Sequence, residues 1–144
     1  MTLILDASMA LAWLLHRRDL DEAELAGEAL DVVRETGAIV PALWYSEVAN
    51  ALLLAERQRV ITAQASASYL SSLSFWEIVQ DPVPPALSQA QAIQLGRLFN
   101  LTAYDATYLE LAMRRAGVLA TFDRKLAAAA RSAGVRVFGD PDPA

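Results

Sequence analysis

The stretch Thr102–Leu126, TAYDATYLELAMRRAGVLATFDRKL, holds an aspartate at the opening of a helix, a glycine that closes it, a short apolar strand and a second aspartate just beyond. Behind Asp105, the apolar positions Leu109, Ala112, Met113 and Ala116 recur at the spacing of one buried helical face. Gly117 supplies a helix stop. Val118-Leu119-Ala120 is short and wholly apolar, then gives way to Thr121 and Asp123, as a buried parallel strand does where it leaves its sheet. Ligands of open α/β sheets bind beyond the carboxyl ends of the strands, so Asp105 and Asp123 are expected to share one rim.

The same grammar extends outward. Helix, glycine and short strand recur as TGAIV at 36–40, AGVLA at 116–120 and AGVRV at 133–137. At the start of the chain, Leu3-Ile4-Leu5 runs into Asp6-Ala7-Ser8 and then a helical pattern, which again reads as strand, rim aspartate, helix. Residues 21–36 form a helix with acids in its first turn, favoured by the macrodipole, and with Leu25, Ala29, Val32 and Val33 inward. A second long helix runs from Ala42 to about Arg59, its buried face set by Trp44, Val48, Ala51, Leu52 and Ala55. Thr62 caps a helix to about Ser74, Ile78-Val79 forms a short strand, and Ser88 caps a helix over 90–99. A helix around 126–133 and a strand over 135–138 complete the set. Strands alternating with helices of about 10–15 residues indicate βαβ units. The expected fold is an α/β class, three-layer α/β/α sandwich with a central, mainly parallel sheet, richer in helix than strand. Residues 1–139 read as a single domain and 140–144, GDPDPA from Gly139 onward, as a frayed tail.

Composition limits the function. The chain has 144 residues, 55% of them apolar, and no cysteine, which removes disulfides and thiolate chemistry. The only histidine, His16, leaves no material for a His-based triad or zinc cluster and is expected at the surface. No apolar run reaches the roughly 18 residues that span a bilayer, and MTLILDAS lacks a basic leader, so a cytoplasmic protein with no membrane partner is expected. The net charge is −5, from seventeen acids and twelve bases. Such a balance opposes nonspecific binding to nucleic acid, yet eleven of the bases are arginines, suited to bidentate phosphate contacts. A metal site would also consume acids that the count treats as repulsive. No G-x-G-x-x-G or G-x-x-x-x-G-K-[ST] occurs, which disfavours dinucleotide and Walker-type nucleotide binding.

Four acids fall at element boundaries on the expected rim: Asp6, Glu47, Asp105 and Asp123. Each has an ordinary reading. Asp105 and Asp123 are placed to cap helices, and Asp6 to hold a turn. Glu47 lies in a helix otherwise built of Trp, Leu, Val and Ala, where a half-buried carboxylate needs a partner. Together they point further. Carboxylates converging in a low-dielectric pocket raise one another's pKa unless a cation intervenes, and an all-oxygen set suits Mg²⁺ or Mn²⁺. Such an ion activates water and stabilises charge building on a phosphodiester. Ser8 and Thr121 are natural donors to orient the ligands or their waters, and Asn50, one turn after Glu47, is placed to hold its carboxylate.

The set LDAS at 5–8, E-x-x-N-x-L at 47–52, YDA-x-Y at 104–108 and T-x-D-x-x-L at 121–126 resembles the PIN-domain family, and more narrowly the VapC-type toxins of prokaryotic toxin–antitoxin pairs. The match spans nearly the whole chain in the family's order. It implies a parallel sheet flanked by helices, a Mg²⁺- or Mn²⁺-dependent ribonuclease for single-stranded RNA, commonly a homodimer, and a small VapB-type antitoxin that covers the site. Carried over by motif, Asp6, Glu47, Asp105 and Asp123 are the acidic quartet, both metal-binding and catalytic. In the resulting reading Asp6 and Asp105 bind the metal most directly, Asp123 assists through water, and Glu47 positions or deprotonates the attacking water. Where some relatives carry a further acid or asparagine, Arg124-Lys125-Leu126 follows Asp123 here; Arg124 and Lys125 are either RNA phosphate contacts or a solvated helix start. Leu53 and Leu54 are candidates for dimer or antitoxin contacts, and Trp13, Trp44 and Trp76 for core or interface. The alternative is a noncatalytic PIN-fold interaction module. A receiver domain is disfavoured because Asp6 has no acidic neighbour, and a haloacid-dehalogenase-like phosphatase because Asp6-Ala7-Ser8 is not D-x-D.

Overall fold

The computed structural model describes residues 1–142. Five short strands, β1 (Leu3–Leu5), β2 (Ala38–Val40), β3 (Ile78–Gln80), β4 (Val118–Ala120) and β5 (Arg136–Val137), alternate with helices. The helices are α1 (Ala7–Leu11), α2 (Leu20–Thr36), α3 (Leu43–Arg57), α4 (Ala63–Ser74), α5 (Pro85–Phe99), α6 (Ala103–Arg114) and α7 (Arg124–Ser132). The sheet order is β3-β2-β1-β4-β5 and every pairing is parallel, with Ile4 opposite Ile39 on one side and Leu119 on the other. This is the expected helix-rich α/β/α architecture.

Right-handed crossovers put α1–α4 on one face of the sheet and α5–α7 on the other. The packing agrees: α1 meets α2 and α3, whereas α6 meets α5 and α7. Covered on both sides, β1 and β4 carry only buried side chains, which is why three apolar residues suffice for each. The chain winds from β1 toward β3 in one direction and from β4 to β5 in the other. The direction therefore reverses between β1 and β4, and a crevice opens beyond their carboxyl ends. None of the helices among the described residues is long and apolar enough to cross a membrane.

Several local expectations need correction. Helix α5 starts at Pro85, whose ring pre-sets the first helical φ, so Ser88 lies inside the first turn and donates to the Pro85 carbonyl. Met113 and Ala116 are exposed, because α6 ends at Arg114 and the chain turns away through Ala116 at φ +48°. Gly117 serves a close approach: a Cβ there would sit 2.9 Å from Ile4 Cγ1 and 3.0 Å from the Thr2 carbonyl oxygen. Gly37 is the position that does use glycine's freedom, ending α2 at φ +77° against the Glu77 carbonyl. The last strand is confined to Arg136–Val137. In the tail, Asp140 pairs with Arg131 at 2.8 Å and Asp142 with Arg136 at 2.6 Å; Pro143 and Ala144 lie outside the described residues.

Candidate active site

Asp6 is where the crevice begins. Its backbone N–H donates to the Ala120 carbonyl at 3.0 Å, extending the β1–β4 ladder by one rung, and its side chain is buried at the N-terminus of α1 without capping it. One oxygen, Oδ2, accepts from Ser8 Oγ at 2.5 Å and from Thr121 Oγ1 at 2.6 Å. Those hydroxyls in turn accept from the next loop: Phe122 N–H donates to Ser8 Oγ and Asp123 N–H to Thr121 Oγ1, both at 2.9 Å. Each hydroxyl has one hydrogen, and both are committed to Asp6. Ser8 and Thr121 thus orient Asp6 through Oδ2 and bind the β4–α7 loop to the end of β1.

Asp123 takes its ordinary role and keeps room for another. Its Oδ1 caps α7 by accepting from Leu126 N–H at 2.9 Å, while Oδ2 makes no such bond. Asp105 does not cap. Thr102 does, accepting from the Asp105 N–H at 3.1 Å, so the Asp105 carboxylate is left for the crevice. The Asp123 carboxylate is near enough to raise the Asp105 pKa. Glu47, half-buried on α3, is held by Tyr108 on α6, whose Oη donates to Oε1 at 2.6 Å. Asn50 is exposed and makes no side-chain hydrogen bond among the described residues, so Tyr108, not Asn50, is the partner of Glu47. Tyr108 was legible as part of YDA-x-Y, one helical turn from Asp105, but nothing local to it announces a partner on another helix. Arg124 and Lys125 are exposed in the first turn of α7.

The electrostatics follow from this placement. Burial raises the pKa of Asp6, against the two hydroxyl hydrogen bonds, and the Asp123 charge raises it further. Glu47 is raised by burial, with Tyr108 opposing and the charges of Asp6 and Asp105 adding. Asp105 is pushed up to about 6, by burial first and then by Asp123 and Asp6. Burial also raises Tyr108, which stays a proton donor. Burial is the largest cause of each shift; at Asp105 the neighbouring acids add to it and outweigh the one opposing charge, that of Lys125.

A hard divalent cation fits that donor set in one respect and is limited in another. The free oxygens of Asp6, Asp105 and Asp123 and the bias against a second negative charge favour it. Among the described residues no three acids stand close enough to enclose an ion unaided. A cation here would be held by a carboxylate pair, with water completing its sphere, which is how Mg²⁺ is commonly bound. Residues 3–132 match the family described as the PIN domain. The chain belongs to the PIN domain family. PIN domains are generally metal-dependent nucleases. Similar solved structures include PAE2754 from Pyrobaculum aerophilum, 24% identical with a TM-score of 0.66 over 90% of this chain and 79% of that one. Another is FitAcB from Neisseria gonorrhoeae, 19% identical with a TM-score of 0.56 over 96% and 97%. At these identities the likeness is one of fold. No protein of curated description matches the sequence.

Proposed function

We propose that this PIN domain is a Mg²⁺- or Mn²⁺-dependent endoribonuclease that hydrolyses phosphodiester bonds in single-stranded regions of RNA, and that it is the VapC-type toxin of a toxin–antitoxin pair. The observation that carries the reading is the cluster of un-neutralised carboxylates at the switch point, with Asp105 raised to about 6 beside Asp123. In this account Asp6 and Asp105 hold the metal, Asp6 fixed by Ser8 and Thr121. Asp123 would assist such an ion through water. Glu47, steadied by Tyr108, orients the attacking water and accepts its proton, a role for which a raised carboxylate is suited. A metal bound there would supply charge stabilisation at the phosphate and a more acidic water.

The motif resemblance supports a VapB-type antitoxin as partner, a homodimer, and action in the cytoplasm. A protein partner has a surface to meet on α3 and α4, where Leu53, Leu54 and Leu70 are about half exposed and Phe75 beyond them is 83% exposed. The deciding experiment is cleavage of a structured RNA by antitoxin-free protein with Mg²⁺, with Mn²⁺ and with EDTA, beside Asp105→Asn. Cleavage that needs the ion and vanishes in the variant is the expected result. The second reading, a noncatalytic interaction module, draws on the absence of three convergent acids among the described residues. Calorimetry separates the two: failure to bind either ion, together with no cleavage, would leave the interaction module standing.

A further inference from the structure

Beside the acidic rim a cavity of about 350 Å³ is lined by Glu22, Thr121, Phe122, Asp123, Arg124 and Arg131, among others. It shares Asp123 and Thr121 with the carboxylate site, so a strand laid across that site runs into it. Its cations are differently engaged. Arg131 is committed to Asp140 through Nε and Nη2. Arg124 makes no ion pair or side-chain hydrogen bond among the described residues. A third arginine, from the loop between α1 and α2, contacts two residues of the cavity lining. Arg17 lies with its guanidinium carbon 4.3 Å from the centre of the Phe122 ring, and its Nε donates to Glu22 at 2.8 Å.

That placement is built by the same bonds that fix Asp6. Phe122 is held by its N–H to Ser8 Oγ, and Ser8 is held by Asp6. Glu22 stands in the first turn of α2, whose start is fixed by the Asp19 cap. The Arg17 side chain is therefore restrained at both its ring contact and its Nε, while Nη1 and Nη2 make no hydrogen bond among the described residues. A guanidinium with two spare nitrogens and a restrained plane is pre-organised for the oxygens of a phosphate. Glu22 pairs with its Nε at 2.8 Å, so its contribution is that of a single directed contact and not of a basic patch.

We propose that Arg17, seated on Phe122 and Glu22 of the cavity lining, is a phosphate-binding residue for the RNA strand beside the carboxylate rim. This rests on the ribonuclease reading above and adds to it the path of the strand. Phosphate contacts carry no sequence information, so the effect is independent of the RNA target.

The test is fluorescence anisotropy of a labelled random-sequence single-stranded oligoribonucleotide at several salt concentrations. It is run in EDTA, where no strand is cut, and with Mg²⁺ in the Asp105→Asn background. For a single strand, each phosphate contact contributes about 0.7 to the slope of log affinity against log salt. Arg17→Gln should lower that slope by about 0.7, which at 0.1 M salt corresponds to roughly fivefold weaker binding relative to 1 M. Arg17→Lys should recover the slope, as a variant damaged in folding would not. Arg18→Gln, the neighbouring exposed charge, should leave it nearly unchanged. Equal slopes for Arg17→Gln and the native protein would overturn the proposal and leave the ribonuclease reading intact, and so would equal losses at Arg17 and Arg18. A native protein that binds no RNA under either condition would overturn both.

Discussion

Asp105 and Glu110 stand on the same helix, and the protein treats their charges in opposite ways. Glu110 faces away from the crevice, buried with Asp81 against one guanidinium. Arg114 donates to Glu110 through Nε at 2.8 Å and Nη2 at 3.0 Å, and to Asp81 through Nη1 at 3.1 Å and Nη2 at 2.6 Å. Burial would raise Asp81, but the Arg114 hydrogen bonds and charge hold it below its ordinary value. Asp105 has no such partner; burial and the charges of Asp123 and Asp6 push it up to about 6. Two acids with a cation supplied from the same chain join α6 to the end of β3. The rim acids, gathered where the sheet reverses direction, make no ion pair among the described residues, and the charge of Lys125 offsets the rise at Asp105 only in part. The difference separates carboxylates neutralised within the fold from those to which the proposed function assigns the chemistry.

The contrast is broken most severely at Asp105. Asp105→Asn should reduce metal-dependent cleavage to background while leaving the melting temperature unchanged or higher, since it removes a charge the fold does not neutralise. A variant that cleaves normally would take Asp105 out of the site. Arg114→Met should do the reverse. Leaving two buried acids without their cation costs about 2–4 kcal/mol of stability, less than a fully buried pair because Arg114 is 28% exposed. Cleavage by the molecules that remain folded should persist. Denaturant unfolding measures the first effect and activity per folded molecule the second; a large activity loss at Arg114 would merge the two regions into one.

Much of this was written in the chain. The thrice-repeated helix–glycine–strand punctuation located β2, β4 and β5, and the apolar run before Asp6 located β1, because strands buried on both faces need only a few apolar residues. Boundary acids were legible for the same reason: elements end where polarity resumes. What stayed hidden depends on contacts between distant residues. The sequence offers Asp105 as a cap, and only the observed bond from Asp105 N–H to Thr102 Oγ1 shows that Thr102 caps instead and Asp105 is free. Asn50 has the helical spacing to meet Glu47, yet the bond comes from Tyr108, sixty-one positions along the chain. Asp81 and Arg114 are equally far from any local rule, thirty-three positions apart and joined only when α6 packs back on the sheet.

A smaller effect sharpens the site's internal order. Tyr108→Phe removes the only hydrogen bond to Glu47 among the described residues, at about 1 kcal/mol of stability. It should lower cleavage by roughly tenfold, in the range typical for groups that orient a metal site's side chains. Unchanged cleavage would exclude Glu47 from handling the water.

The mildest test reads both regions at once through pH. In metal-free protein Asp105 binds a proton more tightly folded than unfolded, since its value rises from 3.8 to about 6. Its contribution to stability is therefore fully present below about pH 4 and is lost as pH rises through about 6. Asp81 runs the other way: its folded value is lowered, so its contribution is present above the ordinary carboxylate range and is lost as acid protonates it. Urea midpoints in EDTA should fall between pH 4 and about pH 6.5, and Asp105→Asn should flatten that limb. Mg²⁺ or Mn²⁺ should raise the midpoint more at pH 7.5 than at pH 5, because ion and proton compete for the same carboxylate. Arg114→Met should instead remove the loss on the acid side and leave the ion's effect in place. If the ion stabilised the protein equally at both pH values, the raised carboxylate would not be where it binds, and the un-neutralised rim would need another explanation.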